Sequence, residues 1–120
     1  MKINEVVAAI PIVNVERAKT FYTDILGLQL TTLSTDLDMY WAKAENSKFL
    51  LYKREDASKS EHTAISFSVE NIEEAVNKLV KKGVSFYEDN NTKIFNLDGS
   101  LSAWFQDTEG NNLEISQRPH

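Results

Sequence analysis

The sequence predicts an α+β protein made of two βαβββ modules whose curved, mixed sheets enclose a cleft. The first observation is that a strand, an amphipathic helix and three strands occur twice, in the same order, within 120 residues. The second is that both predicted helices start after an asparagine and end at a glycine. The third is that one helix covers only one face of its sheet, so the other face must meet a second module or chain.

Length and composition limit the classes of function. A chain of 120 residues is one domain by length, which we divide into module one at 1–54, a polar linker at 55–61 and module two at 62–120. Thirteen basic against eighteen acidic residues give a net charge of −5, which argues against a nucleic acid partner. With no cysteine, disulfides and thiolate zinc sites are excluded.

The apolar run near the amino terminus, at 6–13, is interpreted as a buried strand. A signal peptide has a positively charged region before its apolar core, and here only Lys2 supplies such a charge. Glu5 interrupts the segment and Pro11 lies inside it, so a signal peptide is disfavoured. No stretch reaches the roughly 20 apolar residues that a membrane-spanning helix needs. A soluble, cytoplasmic protein without a membrane partner is the default expectation.

The first module begins with a strand at 5–12 that is apolar on both faces. Asn14 then caps a helix that ends at Gly27, with apolar residues at helical spacing. Strands are predicted at 28–34, 38–44 and 47–54.

The second module repeats this order. A strand is predicted at 62–69, followed by a helix with Asn71 as its cap, Glu74 as a capping-box partner and Gly83 at its end. The segments at 84–87, 90–98, 101–106 and 112–117 supply the remaining strands, with the middle of this half the least regular.

The last two predicted strands are joined by a tight turn that the sequence specifies. Asp107 can accept a hydrogen bond from the backbone two residues on, and Gly110 tolerates a left-handed conformation. After the turn, Leu113 and Ile115 point to one face, where they can pack on a helix. Glu114 therefore points to the other face, and its role has to be explained.

Two motifs carry a resemblance to a known family: FYTDILGL at 21–28 and FQDTEGNNLEI at 105–115. The chain resembles the vicinal oxygen chelate superfamily, which includes glyoxalase I, bleomycin resistance proteins, fosfomycin-modifying enzymes and extradiol dioxygenases. The resemblance spans nearly the whole chain. It implies paired βαβββ modules, a homodimer, and a cleft lined by the inner faces of the sheets.

In the metal enzymes of this superfamily, ligands come from the first and last strands of each module. The resemblance places those positions on Val7, about Leu51, Ala64 and Glu114. Only Glu114 has an atom that can coordinate, and a divalent ion needs at least three protein ligands to stay bound. We therefore predict no metal site and no cofactor.

His62 does not replace the missing metal ligand at Ala64. It lies two residues from Ala64, a shift of roughly 6 to 7 Å along a strand, and a solvated histidine at a strand start is the simpler interpretation. The terminal His120 is assigned no role.

Glu114 has three open interpretations. It is a carboxylate satisfied by a neighbouring hydroxyl such as Ser66 or Ser68, a catalytic general base, or an anchor for the cationic group of a ligand.

The two tryptophans are candidates for the wall of the cleft. Trp104 shares the more polar face of its strand with Ser102 and Gln106, although a core or dimer-interface position is also consistent with the sequence. Trp41 follows Tyr40, and either ring could face inward. Flat rings and a carboxylate suit a planar cationic ligand, through stacking and cation–π attraction.

These observations favour a metal-free protein that binds a small organic ligand, of the bleomycin resistance type that sequesters toxic or antibiotic compounds. The expected ligand-binding residues are Val7, Ala9, Trp41, Leu51, His62, Ala64, Ser66, Trp104 and Glu114. Two alternatives stay open. One is a lyase- or isomerase-like enzyme that uses Glu114 as an acid or base, or as its one retained metal ligand. The other is an interaction module whose cleft is filled by side chains.

Overall fold

The computed structural model describes residues 1–119, and His120 lies outside the described residues. The chain forms two compact units, the first spanning Met1–Ser58 and the second beginning at Lys59. Each unit carries its own helix and its own four-stranded sheet.

The first unit follows the predicted order of strand, helix and three strands. Its elements are β1 at Ala9–Ile12, α1 at Val15–Thr20 continued by a π-helical turn at Phe21–Ile25, β2 at Gln29–Ser34, β3 at Met39–Lys43 and β4 at Lys48–Lys53. The sheet has the order β1-β4-β3-β2, in which β1 runs parallel to β4 and the other pairs are antiparallel.

The second unit repeats this topology. Its elements are β5 at Thr63–Ser68, α2 at Ile72–Lys81, β6 at Phe95–Leu97, β7 at Ser100–Gln106 and β8 at Asn112–Gln117. Its sheet has the order β5-β8-β7-β6, again with the first and last strands parallel. The prediction of an α+β fold with two βαβββ modules is confirmed.

The helix ends also agree with the sequence. The Asn14 side chain accepts a hydrogen bond of 3.0 Å from the Arg17 amide, and Asn71 accepts one of 3.1 Å from the Glu74 amide. These bonds satisfy amides that have no partner inside the helix. Gly83 follows α2 with a φ of 96°, a left-handed conformation that favours glycine.

The first helix departs from the regular helix that was expected. Its second half is π-helical, with the Leu26 amide donating a bond of 3.0 Å to the carbonyl of Phe21, five residues earlier. Phe21 and Tyr22 are both buried there, and the Tyr22 ring meets the Phe49 ring edge-on at 5.9 Å.

The core of each unit lies between the sheet and its helix, because alternate residues of a strand point to opposite faces. In the second unit α2 packs on β7 and β8, and the Gln117 side chain accepts a bond of 2.9 Å from the Ile72 amide. The buried apolar side chains on this side of the second sheet include Ala103, Phe105, Leu113 and Ile115.

Two predicted strands are shorter than expected. The first begins at Ala9 rather than residue 5, and just before it the Ala8 carbonyl accepts a bond of 2.9 Å from the Leu50 amide of β4. The run at 84–87 is reduced to a single bridge between Phe86 and Phe105, because the chain then reverses at Asn90 and Asn91, both with positive φ. Among the described residues, no helix is long and apolar enough to cross a membrane.

The turn between β7 and β8 is held by a buried carboxylate. One oxygen of Asp107 accepts bonds of 2.8 Å from the amides of Glu109 and Asn111, and its other oxygen accepts one of 2.8 Å from the Asn111 side chain. All three residues are less than 10% exposed. The turn motif of the sequence is therefore a hydrogen-bonded structural element.

Replacing Asp107 with alanine should destabilise the fold by at least about 2 kcal/mol. The substitution leaves buried donors without their acceptor, and each such donor costs about 1–3 kcal/mol. Urea unfolding measures the change. Asp36→Ala is the matched control, since Asp36 is an exposed turn residue whose side chain has no hydrogen bond within residues 1–119. Equal effects of the two variants would contradict the structural role of Asp107.

Candidate functional site

Three side chains form a row across the second sheet, on the face opposite α2. Ser66 of β5 lies directly beside Glu114 of β8, and Glu114 lies directly beside Trp104 of β7. Glu114 and Trp104 are half-buried and Ser66 is exposed, whereas the alternating residues Leu113 and Ile115 are buried on the helix side. Strand alternation places all three groups on one surface.

The carboxylate of Glu114 is not used by the fold. Within residues 1–119, no side chain forms a hydrogen bond or an ion pair with it. The Ser66 hydroxyl, which the sequence suggested as a partner, instead bonds to the Ser116 hydroxyl at 3.1 Å. No buried side-chain oxygen among residues 1–119 lacks a hydrogen-bond partner, so the unpaired carboxylate oxygens of Glu114 reach solvent, where a ligand can meet them.

Beside Glu114 lies a group of three aromatic rings, Tyr87, Phe95 and Trp104, which we call the Trp104 cluster. The Tyr87 and Phe95 rings are stacked, with centroids 5.8 Å apart and planes at 22°. The Phe95 and Trp104 rings are tilted by 42° at 5.7 Å. These are favourable distances for aromatic pairs, and Tyr87 is still 53% exposed.

The cluster is held in place by the backbone of the sheet. The Tyr87 amide donates a bond of 2.8 Å to the carbonyl of Trp104, and Phe95 is the direct β6 neighbour of Ser102 on β7. Sequence reasoning identified Trp104 but missed Tyr87 and Phe95. The alternation of Tyr87 with the buried Phe86 was a usable signal, but the irregular segment that follows Tyr87 hid the pairing with β7.

The first unit carries the corresponding row, made of Ala9, Leu50 and Trp41. Each position matches one in the second unit, so Leu50 is the counterpart of Glu114. The expectation that Leu51 lines this face is wrong: Leu51 is fully buried on the helix side. The short connection before β4 did not fix its register in the sequence, and an error of one residue exchanges the two faces.

Trp41 already has a cation on its ring. The ammonium group of Lys48 lies 4.3 Å from the centroid of the indole, within the range of a cation–π contact. A cationic ligand would have to displace Lys48 from this face. The two tryptophans therefore differ in their electrostatic surroundings, although they occupy equivalent positions of the two sheets.

Three other expected residues belong to neither row. His62 is exposed and precedes β5, where its amide bonds to the Ser60 hydroxyl at 3.2 Å. Ala64 is exposed at a register shift between β5 and β8, which interrupts the alternation that was expected from His62 onward. Val7 precedes β1 and lines a hollow beside the β3–β4 connection.

The donor atoms near Glu114 do not fit a divalent metal. Its row offers one carboxylate, one hydroxyl and an indole, and the corresponding row of the first unit offers hydrocarbon and a second indole. In the described part of the chain, no three His, Cys, Asp or Glu side chains come together to hold an ion. Neither row by itself therefore offers the three protein ligands that a divalent ion needs.

Comparison with known proteins shows a family and a fold. A family model described as the glyoxalase/bleomycin resistance protein/dioxygenase superfamily matches residues 2–115. No protein of curated function matches the sequence.

Several solved structures are similar over nearly their whole length. An integron cassette protein from the mobile metagenome of a Halifax Harbour sewage outfall is 25% identical, with a TM-score of 0.73 over 96% of this chain and 99% of that chain. TnmS3, an antibiotic-binding protein from Streptomyces, is 18% identical, with a TM-score of 0.74 over 98% of both chains. Lactoylglutathione lyase from Agrobacterium tumefaciens is 16% identical, with a TM-score of 0.73 over 98% of this chain and 96% of that chain.

The Glu114→Gln variant should be as stable as the parent protein within about 0.5 kcal/mol, or more stable. The substitution keeps the shape of the side chain and removes a charge that no described residue pairs with. Asp107→Asn provides the contrast, since it replaces a carboxylate that accepts three bonds and should cost about 1–3 kcal/mol. Both are measured by urea unfolding, and a comparable loss in Glu114→Gln would show that its carboxylate is structural.

Proposed function

Because the chain belongs to the glyoxalase/bleomycin resistance protein/dioxygenase superfamily, we propose that it binds a small organic molecule without a metal of its own. The proposed site is the face of the second sheet that carries Ser66, Glu114 and the Trp104 cluster. The observation that carries the proposal is a half-buried carboxylate without a partner among residues 1–119, directly beside Trp104, whose ring packs in a cluster with two others.

The chemistry of this face favours a planar, cationic ligand. The exposed ring of Tyr87 and the half-buried ring of Trp104 offer π surface for stacking, and the Glu114 carboxylate offers a charge to pair with. A cation near an aromatic face gains about 0.5–2 kcal/mol, depending on how far it is desolvated. The net charge of −5 favours the approach of such a ligand.

Sequestration is the role that this binding chemistry suits. Glu114 is a catalytic candidate only if a second group acts with it, and its direct strand neighbours are a serine and a tryptophan. TnmS3, whose fold is shared, is an antibiotic-binding protein. We propose that the present chain likewise holds a toxic or antibiotic compound in the cytoplasm.

Ligand binding is testable through the tryptophans, since the chain has only two. In the Trp41→Phe variant, Trp104 is the only indole, and N-methylacridinium should quench its fluorescence in a saturable manner. Acridine at pH 8, which has the same shape without the charge, should bind more weakly. Adding Glu114→Gln should weaken binding of the cation about tenfold, equivalent to about 1.4 kcal/mol, because the counter-charge is lost.

Glu73→Gln is the matched control, because it removes an exposed carboxylate on α2 and should leave the affinity unchanged. Binding should also survive dialysis against EDTA. Equal affinity for the charged and uncharged ligands, an unchanged affinity in Glu114→Gln, or a requirement for a divalent ion would each contradict the proposal.

We further propose that the protein is a homodimer. Superfamily membership supports this, as do large apolar side chains left at the surface, such as Ile3, Leu33 and Leu37. Light scattering coupled to size exclusion at micromolar concentration should give twice the chain mass of 13.6 kDa. A single species at the chain mass would rule the dimer out.

A further inference from the structure

A hollow in the first unit lies between the segment that precedes β1 and the connection from β3 to β4. Its lining is formed by Glu5, Val6, Val7 and the residues from Lys43 to Lys48. It belongs to a different unit from the Glu114 row, and it presents different chemistry.

Two lysines at this hollow are neighbours and have no ion-pair partner among residues 1–119. Lys43 and Lys48 are direct neighbours across the antiparallel pair of β3 and β4, a position in which like charges destabilise a sheet. Neither ammonium group forms an ion pair within residues 1–119. Glu5 and Glu45 line the same hollow but do not pair with them.

One of these lysines is fixed in position. The ammonium group of Lys48 lies 4.3 Å from the centroid of the Trp41 ring, which orients it at the end of the sheet next to Lys43. The remaining lining includes the apolar side chains of Val6, Val7 and Ala44. The hollow therefore combines two neighbouring lysines, one of them oriented by an aromatic ring, with apolar residues.

We propose that this hollow binds a small aromatic carboxylate. The carboxylate would accept hydrogen bonds from the ammonium groups of Lys43 and Lys48, and the ring would lie against Val6 and Val7. Binding would relieve the repulsion between the two lysines. A singly charged anion is favoured over a phosphate, because Glu5 and Glu45 line the same hollow and repel a second negative charge.

The test uses benzoate as the anion and benzamide as an uncharged molecule of the same shape. In uniformly ¹⁵N-labelled protein at constant ionic strength, benzoate should shift the amide resonances of residues 43–48 in a saturable manner, and benzamide should not. Lys43→Met and Lys48→Met should each weaken binding at least fivefold. Lys53→Met, at the other end of β4, is the matched control and should bind as the parent protein does.

A second variant changes affinity in the opposite direction. Glu5→Gln removes a competing carboxylate and should strengthen benzoate binding about twofold to fivefold. In Trp104→Phe, the remaining Trp41 should also report benzoate by fluorescence, through its contact with Lys48.

Benzoate and benzamide shifting the same resonances equally would overturn the proposal. Unchanged affinity in both lysine variants, or tighter binding of inorganic phosphate than of benzoate, would also overturn it. This outcome does not depend on the proposed cation site in the second unit, which is tested separately through Trp104 fluorescence and the Glu114→Gln variant.

Discussion

The parallel pairing of the first and last strands of each unit is the constraint on which the candidate site depends. It places Ser66 beside Glu114 and, through the antiparallel neighbour, Trp104 beside Glu114. Because α2 packs on one face of this sheet, the row has to lie on the other face. The loop before β6 then adds the Tyr87 ring, and β6 adds the Phe95 ring, to that of Trp104. A shift of one residue in the register would bury Glu114 under the helix.

The repeat gives the chain two equivalent rows with opposite chemistry. In the second unit the middle position holds an acid beside a half-buried indole, and in the first unit it holds Leu50 beside an indole whose face is covered by Lys48. The common topology fixes the positions of both rows, and the side chains alone decide what each can bind. This separation of scaffold from site is consistent with a superfamily fold that supports many activities.

Local signals in the sequence were sufficient for most of the fold. Asn14 and Asn71 marked the helix starts because a side-chain acceptor satisfies free amides, and the Asp107 motif marked the last turn for the same reason. Alternation placed Trp104 and Glu114 on one face. Local signals did not give the correct face for Leu51, because Leu50 and Leu51 are both apolar and fit either register. They also did not place Ala64, because a register shift breaks the alternation there.

The sequence by itself therefore determined the order of the elements, their caps and the face on which Glu114 lies, because these depend on hydrogen bonds and periodicity within a few residues. Only the tertiary structure decided which groups meet there. It joined Tyr87 and Phe95 to Trp104, paired Ser66 with Ser116 rather than with Glu114, and placed Lys48 over Trp41. These contacts depend on strand register and on side-chain positions between segments far apart in the chain, which no local pattern specifies.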